Sequence, residues 1–417
     1  MKRIGVLGGG QLGMLLTESI HRQGGTVSIY DPDPSAPACK QVGAGQCFNE
    51  KWTDIPALER FFSGVDAATY EFENVESGEL YQFEKTKPIH PSVSVLHTTQ
   101  DRLREKTFLR EHQLPHASFE SIDSLKALPE ILTQFGYPSI LKSSRGGYDG
   151  KGQYFLSAPD DLQLALAQLK SKQVQYAGVL EEALTIEMEV SCIVARSPQG
   201  KEVIFPVFEN MHKNHILDFT IFPARIPISI ENKVREIALE AARKLGAYGL
   251  LTTEFFLTRN KARASTGVEC DGWQIYINEF APRPHNSGHV TRTACTLSQF
   301  DALARVMLDI PLSEPKILAN GSFCMGNLLG DVWLAQGRDE LDLSALANHP
   351  NVIDVVLYGK GEARAGRKMG HFVTHASSAE QALRYAQEFR SSLETQPNPQ
   401  CGGIIVGHSL DFPTASA

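Results

Sequence analysis

Positions 146–153 hold four glycines in the run Arg145-Gly146-Gly147-Tyr148-Asp149-Gly150-Lys151-Gly152-Gln153, directly after a strand-like segment ending in Ile140-Leu141-Lys142. So much glycine makes a helix or strand interior entropically costly there, so the run must be a loop. Bare amides on such a loop can fold over a polyphosphate, with a nearby lysine sharing its charge. The plainer reading is a hairpin turning at Asp149-Gly150. Glycines on both sides of that turn, with Lys142 before it and Lys151 within it, exceed what a hairpin needs. The run is not a Walker loop, because no Gly-Lys-Ser/Thr opens a helix here.

A second dense segment, Asn278-Glu279-Phe280-Ala281-Pro282-Arg283-Pro284-His285-Asn286-Ser287-Gly288-His289, lies far downstream. Glu254 and Glu279 fall near the ends of two alternating strands joined by a hairpin, which puts both carboxylates on one face. Hard oxygen donors of this kind suit magnesium, which is usually completed by substrate phosphates; the alternative is an exposed surface pair. Arg283, His285, Asn286 and His289 follow on a segment broken by two prolines, where anion or substrate binding, helix capping and general-base duty all stand open. Lys360, Arg364, Arg367 and Lys368 form either a solvated loop or a phosphate clamp. His212 and His215 have no evident metal-binding partner and suit a polar site role.

Gly8-Gly9-Gly10-Gln11-Leu12-Gly13 fits a dinucleotide-binding pattern, with Asp31 near the place of a ribose-binding acid. Three readings compete: nicotinamide binding, a structural turn, and capture of another polar or phosphorylated ligand at the helix start.

At 417 residues the chain exceeds one ordinary core, and a net charge of −8 without any basic block argues against nucleic-acid binding. Seven scattered cysteines without a Cys-x-x-Cys pair read as reduced and buried. The apolar run at residues 4–7 is too short for a signal peptide, and no segment approaches a membrane span, so a cytoplasmic location without membrane contact is expected.

The expected fold class is α/β and α+β multidomain. A strand at 4–7, a helix at 12–22 and a strand at 27–30 make a βαβ unit within a Rossmann-like domain over 1–100. A charged helix at 101–112 opens a lid over 101–185, ordered strand, helix, strand, glycine loop, strand, helix, strand. An antiparallel catalytic sheet is expected over 186–312, with strands at 187–197 and 202–208, a helix at 232–245, two strands ending at Glu254 and Glu279, and a polar loop at 259–273. Strands at 321–329, 352–358 and 371–375 and a helix through Leu393 give a small β-rich domain over 313–417.

With these residues assembled, the chain resembles the ATP-grasp superfamily and, within it, the 5-(carboxyamino)imidazole ribonucleotide synthases of purine biosynthesis. The family pattern is matched at 9–13, 71–74, 146–153, 278–289, 298–300 and 366–371. The resemblance implies an ATP-grasp fold, ATP and Mg2+ as cofactors, and aminoimidazole ribonucleotide and bicarbonate as small-molecule substrates. It implies that ATP is held by Arg102, Lys142, Gly147, Tyr148, Asp149, Gly150, Lys151, Gly152 and Gln153, by the hinge Glu181, Glu182, Ala183 and Leu184, and by Glu189, His212, Asn278 and Glu279. Magnesium falls to Glu254 and Glu279. The ribonucleotide falls to Gln11, Leu12, Glu73, Tyr148, Arg283, His285, Asn286, Lys360, Arg367 and Lys368, and the catalytic set to Arg283, His285, Asn286, Tyr148 and Lys151. A homodimer is also implied. The 259–273 loop is longer than the family pattern, and the tail from about Phe412 has the look of a dispensable extension.

Overall fold

The computed structural model describes residues 1–75, 77–147, 152–171, 177–263 and 266–394. Near the amino terminus, strand Arg3–Leu7 pairs in parallel with Thr26–Tyr30 on one side and Ala67–Tyr70 on the other, and Cys47–Phe48 forms the edge. The unbroken apolar run Ile4 to Leu7 is what a parallel strand covered on both faces requires, and only Gly5 interrupts its side chains, against Phe61. Helix Gln11–Arg22 follows as expected. Its Leu15, Leu16 and Ile20 pack with Phe300, Leu303 and Met307 in one buried cluster that spans the first hundred residues and the central sheet. Each such side chain contributes roughly 1.5–3 kcal/mol on burial.

The lid has the expected element order. Strands Phe119–Ile122, Gly178–Glu182, Ser139–Ser143 and Gln153–Leu156 lie side by side in that order, all antiparallel. Helices Leu128–Phe135 and Pro159–Ser171 belong to the same unit. Leu128, Leu132, Leu141, Leu156 and Leu180 give it a hydrophobic cluster of its own.

The central sheet has ten strands and carries the site. Four details differ from expectation. The stretch 202–208 is not one strand: Pro206 cannot donate to a ladder, and the chain divides into Glu202–Ile204 and Phe208–Lys213, both paired with Met188–Arg196. The helix begins early, at Ile228, because Pro227 starts it and exposed Ile228 masks its apolar period. Glu254 lies in mid-strand, since Gly249–Thr258 continues past it. The 259–273 segment contains a further strand, Val268–Cys270, paired with Trp273–Ala281.

The C-terminal strands Ser322–Leu329, Lys368–Ala376 and Val352–Leu357 make no separate sheet. They extend the central one through Ile216–Phe222, covered by helix Ala379–Glu394.

The reading of every cysteine as reduced and buried is corrected. Cys39 and Cys47 are paired as a disulfide, with Cα atoms 5.5 Å apart, because the edge strand of the first sheet brings Cys47 back beside the 37–41 turn. Cys270 is half-buried, while Cys192, Cys295 and Cys324 are buried free thiols. Cys401 lies outside the described residues. Among the described residues no helix is long and apolar enough to cross a membrane.

One buried carboxylate anchors the first domain. Glu71 follows strand Ala67–Tyr70 and accepts from Gly10 N at 2.8 Å and Gly13 N at 3.2 Å, closing the start of the first helix. Burial pushes its carboxyl above the usual range, and the two amides pull against that rise. Replacing it by leucine strands two donors inside the protein, at a cost of about 2–3 kcal/mol. Glu71→Leu is therefore expected to lower the thermal melting temperature of the purified protein; an unchanged value would refute this anchoring role.

Candidate active site

A cavity of about 740 Å³ lies between the lid, the central sheet and the loop after residue 71. Its floor follows from strand register. Glu254 on Gly249–Thr258 stands opposite Glu279 on Trp273–Ala281, and the ladder shifts between Glu254 and Phe255. In a pleated sheet, directly opposed residues project to the same face, so both carboxylates enter the cavity together.

Their environments differ. Glu254 Oε1 lies 2.9 Å from His285 Nε2. Burial alone would raise its carboxyl, but the neighbouring His285, His212 and Arg283 outweigh burial and hold it ionised. Glu279 is pushed up, first by burial and then by the charge of Glu254, with Arg102 no closer than 4.0 Å. One ionised acid and one reluctant acid, side by side and supplied only with hard oxygen donors, fit a divalent ion completed by phosphate oxygens.

Facing this pair is a basic wall. Arg102 Nη1 donates to Ser143 O at 3.0 Å and Nη2 to Gly147 O at 2.9 Å, so the guanidinium braces the first residues of the glycine loop. Lys142 Nζ lies 3.0 Å and Lys106 Nζ 3.4 Å from Glu181 Oε2. Burial would raise Glu181, yet the two ammonium groups bring it down to about 2. Its carboxylate is thus committed inside the protein, and Glu182 is likewise bound to Arg263 N at 2.6 Å. The amides of Glu182 and Ala183 are also taken, by Ser118 O at 2.9 Å and Pro138 O at 3.2 Å, and Leu184 lines the cavity beyond them. Glu189 Oε2 and His212 Nδ1 are 3.1 Å apart on the cavity wall, which Asn278 and Gln153 also line.

At the other end, Arg283 Nε meets Glu73 Oε1 at 2.9 Å. His285 is clamped by Gln299, whose amide accepts from His285 N at 2.8 Å and donates to His285 O at 2.7 Å. Asn286 is buried, and neither its Oδ1 nor its Nδ2 has a partner among the described residues. Lys368 lines the cavity, and Lys360 Nζ donates to Gln11 Oε1 at 2.6 Å across the interface with the first domain. Arg367 Nη1 donates to Glu362 O at 2.6 Å, outside the cavity wall.

Some expected site residues serve otherwise. Leu12 has its side chain in the hydrophobic core, leaving only its backbone to meet a ligand. Gly152 closes the lid hairpin: its carbonyl accepts from Ser143 N at 2.9 Å and its φ of +74° favours glycine. His289 is buried beside His371, ring centroids 4.8 Å apart, and burial holds it well below the usual histidine range, so it does not face the ligand space. His215 lines the cavity. Tyr148, Asp149, Gly150 and Lys151 lie outside the described residues.

The glycine pattern at 8–13 is not a dinucleotide site. Glu71 takes the amides of Gly10 and Gly13, while Asp31, placed where a ribose-binding acid would be, takes Gly9 N at 2.6 Å. A pyrophosphate would have to displace two carboxylates from the amides it needs. Sequence reasoning also missed Lys106 and Glu105, both buried, with Glu105 accepting from Phe280 N at 2.7 Å. The signal was present: Arg102, Glu105, Lys106 and Leu109 share one stripe of helix Arg102–Glu111 at i, i+3, i+4 and i+7 spacing.

Comparison with known proteins gives the family. Residues 1–100 match the ribonucleotide synthetase preATP-grasp domain, 107–300 the ATP-grasp domain, and 324–385 the phosphoribosylaminoimidazole carboxylase C-terminal domain. The N5-carboxyaminoimidazole ribonucleotide synthase of Bacillus subtilis is 34% identical, over 88% of this chain and 90% of that protein. A bifunctional purine synthesis protein of Dictyostelium discoideum is 36% identical over 88% of this chain, which spans 36% of that longer protein. Among solved structures, the Staphylococcus aureus N5-carboxyaminoimidazole synthetase complexed with ADP superposes with a TM-score of 0.81 at 32% identity, covering 93% of this chain and 97% of that one. The Aspergillus clavatus synthase in complex with ADP and 5-aminoimidazole ribonucleotide gives 0.79 at 27%, covering 94% and 98%. With the same fold, three matched domains and this identity over most of its length, the chain belongs to the N5-carboxyaminoimidazole ribonucleotide synthase family.

Proposed function

We propose that the protein carboxylates 5-aminoimidazole ribonucleotide with bicarbonate at the expense of ATP, giving N5-carboxyaminoimidazole ribonucleotide, ADP and phosphate in de novo purine (IMP) synthesis. The observation that carries this reading is the in-register pair Glu254 and Glu279 facing Arg102 and Lys142 in one cavity. Triphosphate fits between those walls, its base toward the backbone of 181–184 and its ribose toward Glu189 and His212. The family resemblance assigns Tyr148, Asp149, Gly150 and Lys151 to the phosphate cover, and Tyr148 and Lys151 to the catalytic set as well. The ribonucleotide belongs beside Glu73, Arg283, His285 and Asn286, its phosphate toward Gln11, Lys360, Arg367 and Lys368. The family supports a cytoplasmic homodimer.

Bicarbonate is a poor electrophile, and an aromatic amine is a weak nucleophile. A bicarbonate oxygen attacks the γ-phosphorus, the bond to the β–γ bridging oxygen breaks, and ADP leaves with that electron pair. The amine nitrogen then bonds to the carboxyl carbon of carboxyphosphate, phosphate departs with the C–O pair, and the amine sheds one proton. No protein nucleophile is required. Magnesium, held by Glu254 and Glu279, would supply charge neutralisation on the phosphate oxygens. Arg102 and Lys142 oppose the charge that shifts during phosphoryl transfer. Arg283, kept in place by Glu73, is positioned for the carboxylate, and the buried Asn286 amide offers both a donor and an acceptor. Alignment of this kind is worth up to roughly 7–11 kcal/mol of barrier, and the closed lid protects carboxyphosphate from water.

ADP release should require both bicarbonate and the ribonucleotide; release that ignores the ribonucleotide would sink the assignment. Glu279→Gln is expected to lower kcat at least roughly 100-fold by removing a metal-binding charge, and a near-normal kcat would refute that role.

A pH effect follows from Lys360, which burial brings down to about 8. Its ammonium is needed to meet a phosphate dianion and is lost as pH rises through that value. Measured kcat/KM for the ribonucleotide, which reports the free enzyme, should fall above about pH 8, and Lys360→Arg should abolish that fall. A profile identical in the two proteins would exclude Lys360 from substrate binding.

A further inference from the structure

Arg263 lies in the turn segment of the hairpin that carries Glu254 and Glu279, yet its side chain crosses to the lid. Nη1 donates to Phe135 O at 3.0 Å and Tyr137 O at 3.3 Å, and Nη2 to Pro138 O at 3.1 Å. Its backbone amide donates to Glu182 Oε1 at 2.6 Å, with Nε 3.3 Å from the same oxygen. These carbonyls cluster at the C-terminal end of helix Leu128–Phe135, where a helix leaves acceptors unpaired and carries its negative pole. Gly136 clears the path, since at φ +89° a Cβ there would come within 2.6 Å of Nη1.

The body side of the contact is equally anchored. Ala262 N donates to Tyr276 Oη at 3.0 Å, and Thr266 Oγ1 donates to His116 O. Tyr276 belongs to the strand that presents Glu279 three residues later. On the lid side, Pro138 precedes the strand bearing Lys142, and its carbonyl also accepts from Ala183 N at 3.2 Å. Arg263 and the hinge therefore share one acceptor. Beside this contact is a cavity of about 600 Å³ lined by Arg110, His116, Phe119, Phe135 and Arg263. Packed apolar surface does not fill that space, so at this edge the polar fork spans the gap between the hairpin and the lid strands.

We infer that Arg263 is a positioning residue for the nucleotide, fixing the hinge at Glu182–Ala183 and the lid strand of Lys142 against the strand of Glu279. The inference rests on the nucleotide reading of the main cavity. ATP must meet the hinge with its base while its phosphates meet Lys142 and Glu279. A lid freed at this point spends less time in the arrangement that satisfies both, which weakens apparent binding by the lost fraction. Once ATP is bound and the lid seated, the reacting atoms see the same groups.

In the full-length enzyme, Arg263→Ala should raise KM for ATP about tenfold, the scale of a lost charge-assisted contact, with kcat within about twofold and KM for the ribonucleotide unchanged. Arg263→Lys should recover only part, because a single ammonium nitrogen cannot reach from one point the carbonyls that the two arms of the planar guanidinium span. Gly136→Ala should also raise KM for ATP, and should add little in the Arg263→Ala background, as expected for groups in contact. A normal KM for ATP in Arg263→Ala overturns the proposal, as does a joint loss of kcat and of both substrate affinities together with a lowered melting temperature. Calorimetric titration with ADP separates the two levels. Absence of binding by the unaltered enzyme sinks the nucleotide reading, whereas equal binding by both proteins sinks only the role of Arg263.

Discussion

Two carboxylates forced to the same height on neighbouring strands are the constraint around which the rest is arranged. Glu254 and Glu279 repel, and at the effective dielectric of a protein such pairs cost several kcal/mol, about 4 at 4 Å. The structure relieves this unevenly: His285 stabilises the charge on Glu254 at 2.9 Å, while Glu279 has only the weaker help of Arg102 at 4.0 Å and of Lys142. Under the proposed reading, an acid left short of positive charge in this way suits a cation that arrives with its own phosphate ligands. His285 in turn depends on Gln299, which clamps both polar groups of its backbone.

Much of this was legible from residues alone. The order of the lid elements followed from alternating apolar runs punctuated by glycine and proline, and the two acids announced themselves by their place on consecutive strands. What escaped has physical reasons. On the mixed-charge helix at 101–112 the stripe of Arg102, Glu105, Lys106 and Leu109 marked a face but not its burial, because Glu105 and Lys106 are held inside by partners more than 70 residues away in sequence, Phe280 and Glu181. The disulfide between Cys39 and Cys47 was hidden because spacing alone does not say whether a turn returns on itself. Leu12 was taken for a ligand contact, although its place in the first turn of an amphipathic helix commits its side chain to the core.

The glycine loop at 8–13 shows how one local pattern serves opposite ends. Elsewhere such a loop leaves its amides open for a phosphate. Here Glu71 and Asp31 supply the anions from within the chain. The helix start keeps its electrostatic balance, and its first side chain, Gln11, is bound to Lys360. The pattern specified a backbone shape, and the distant acids decided its use.

The strands after residue 321 join the sheet that bears the two acids, and this sets a fixed scale inside the molecule. Strand Lys368–Ala376 is locked by ladder to Ser322–Leu329, then to Ile216–Phe222, and onward to the hairpin of Glu254 and Glu279. Spacing between Lys368, where that strand begins, and the acidic pair cannot change without breaking backbone hydrogen bonds. The sheet thus acts as a molecular gauge, and under the proposed reading the interval it sets is the one a ribonucleotide spans and a nucleoside, without a phosphate, does not.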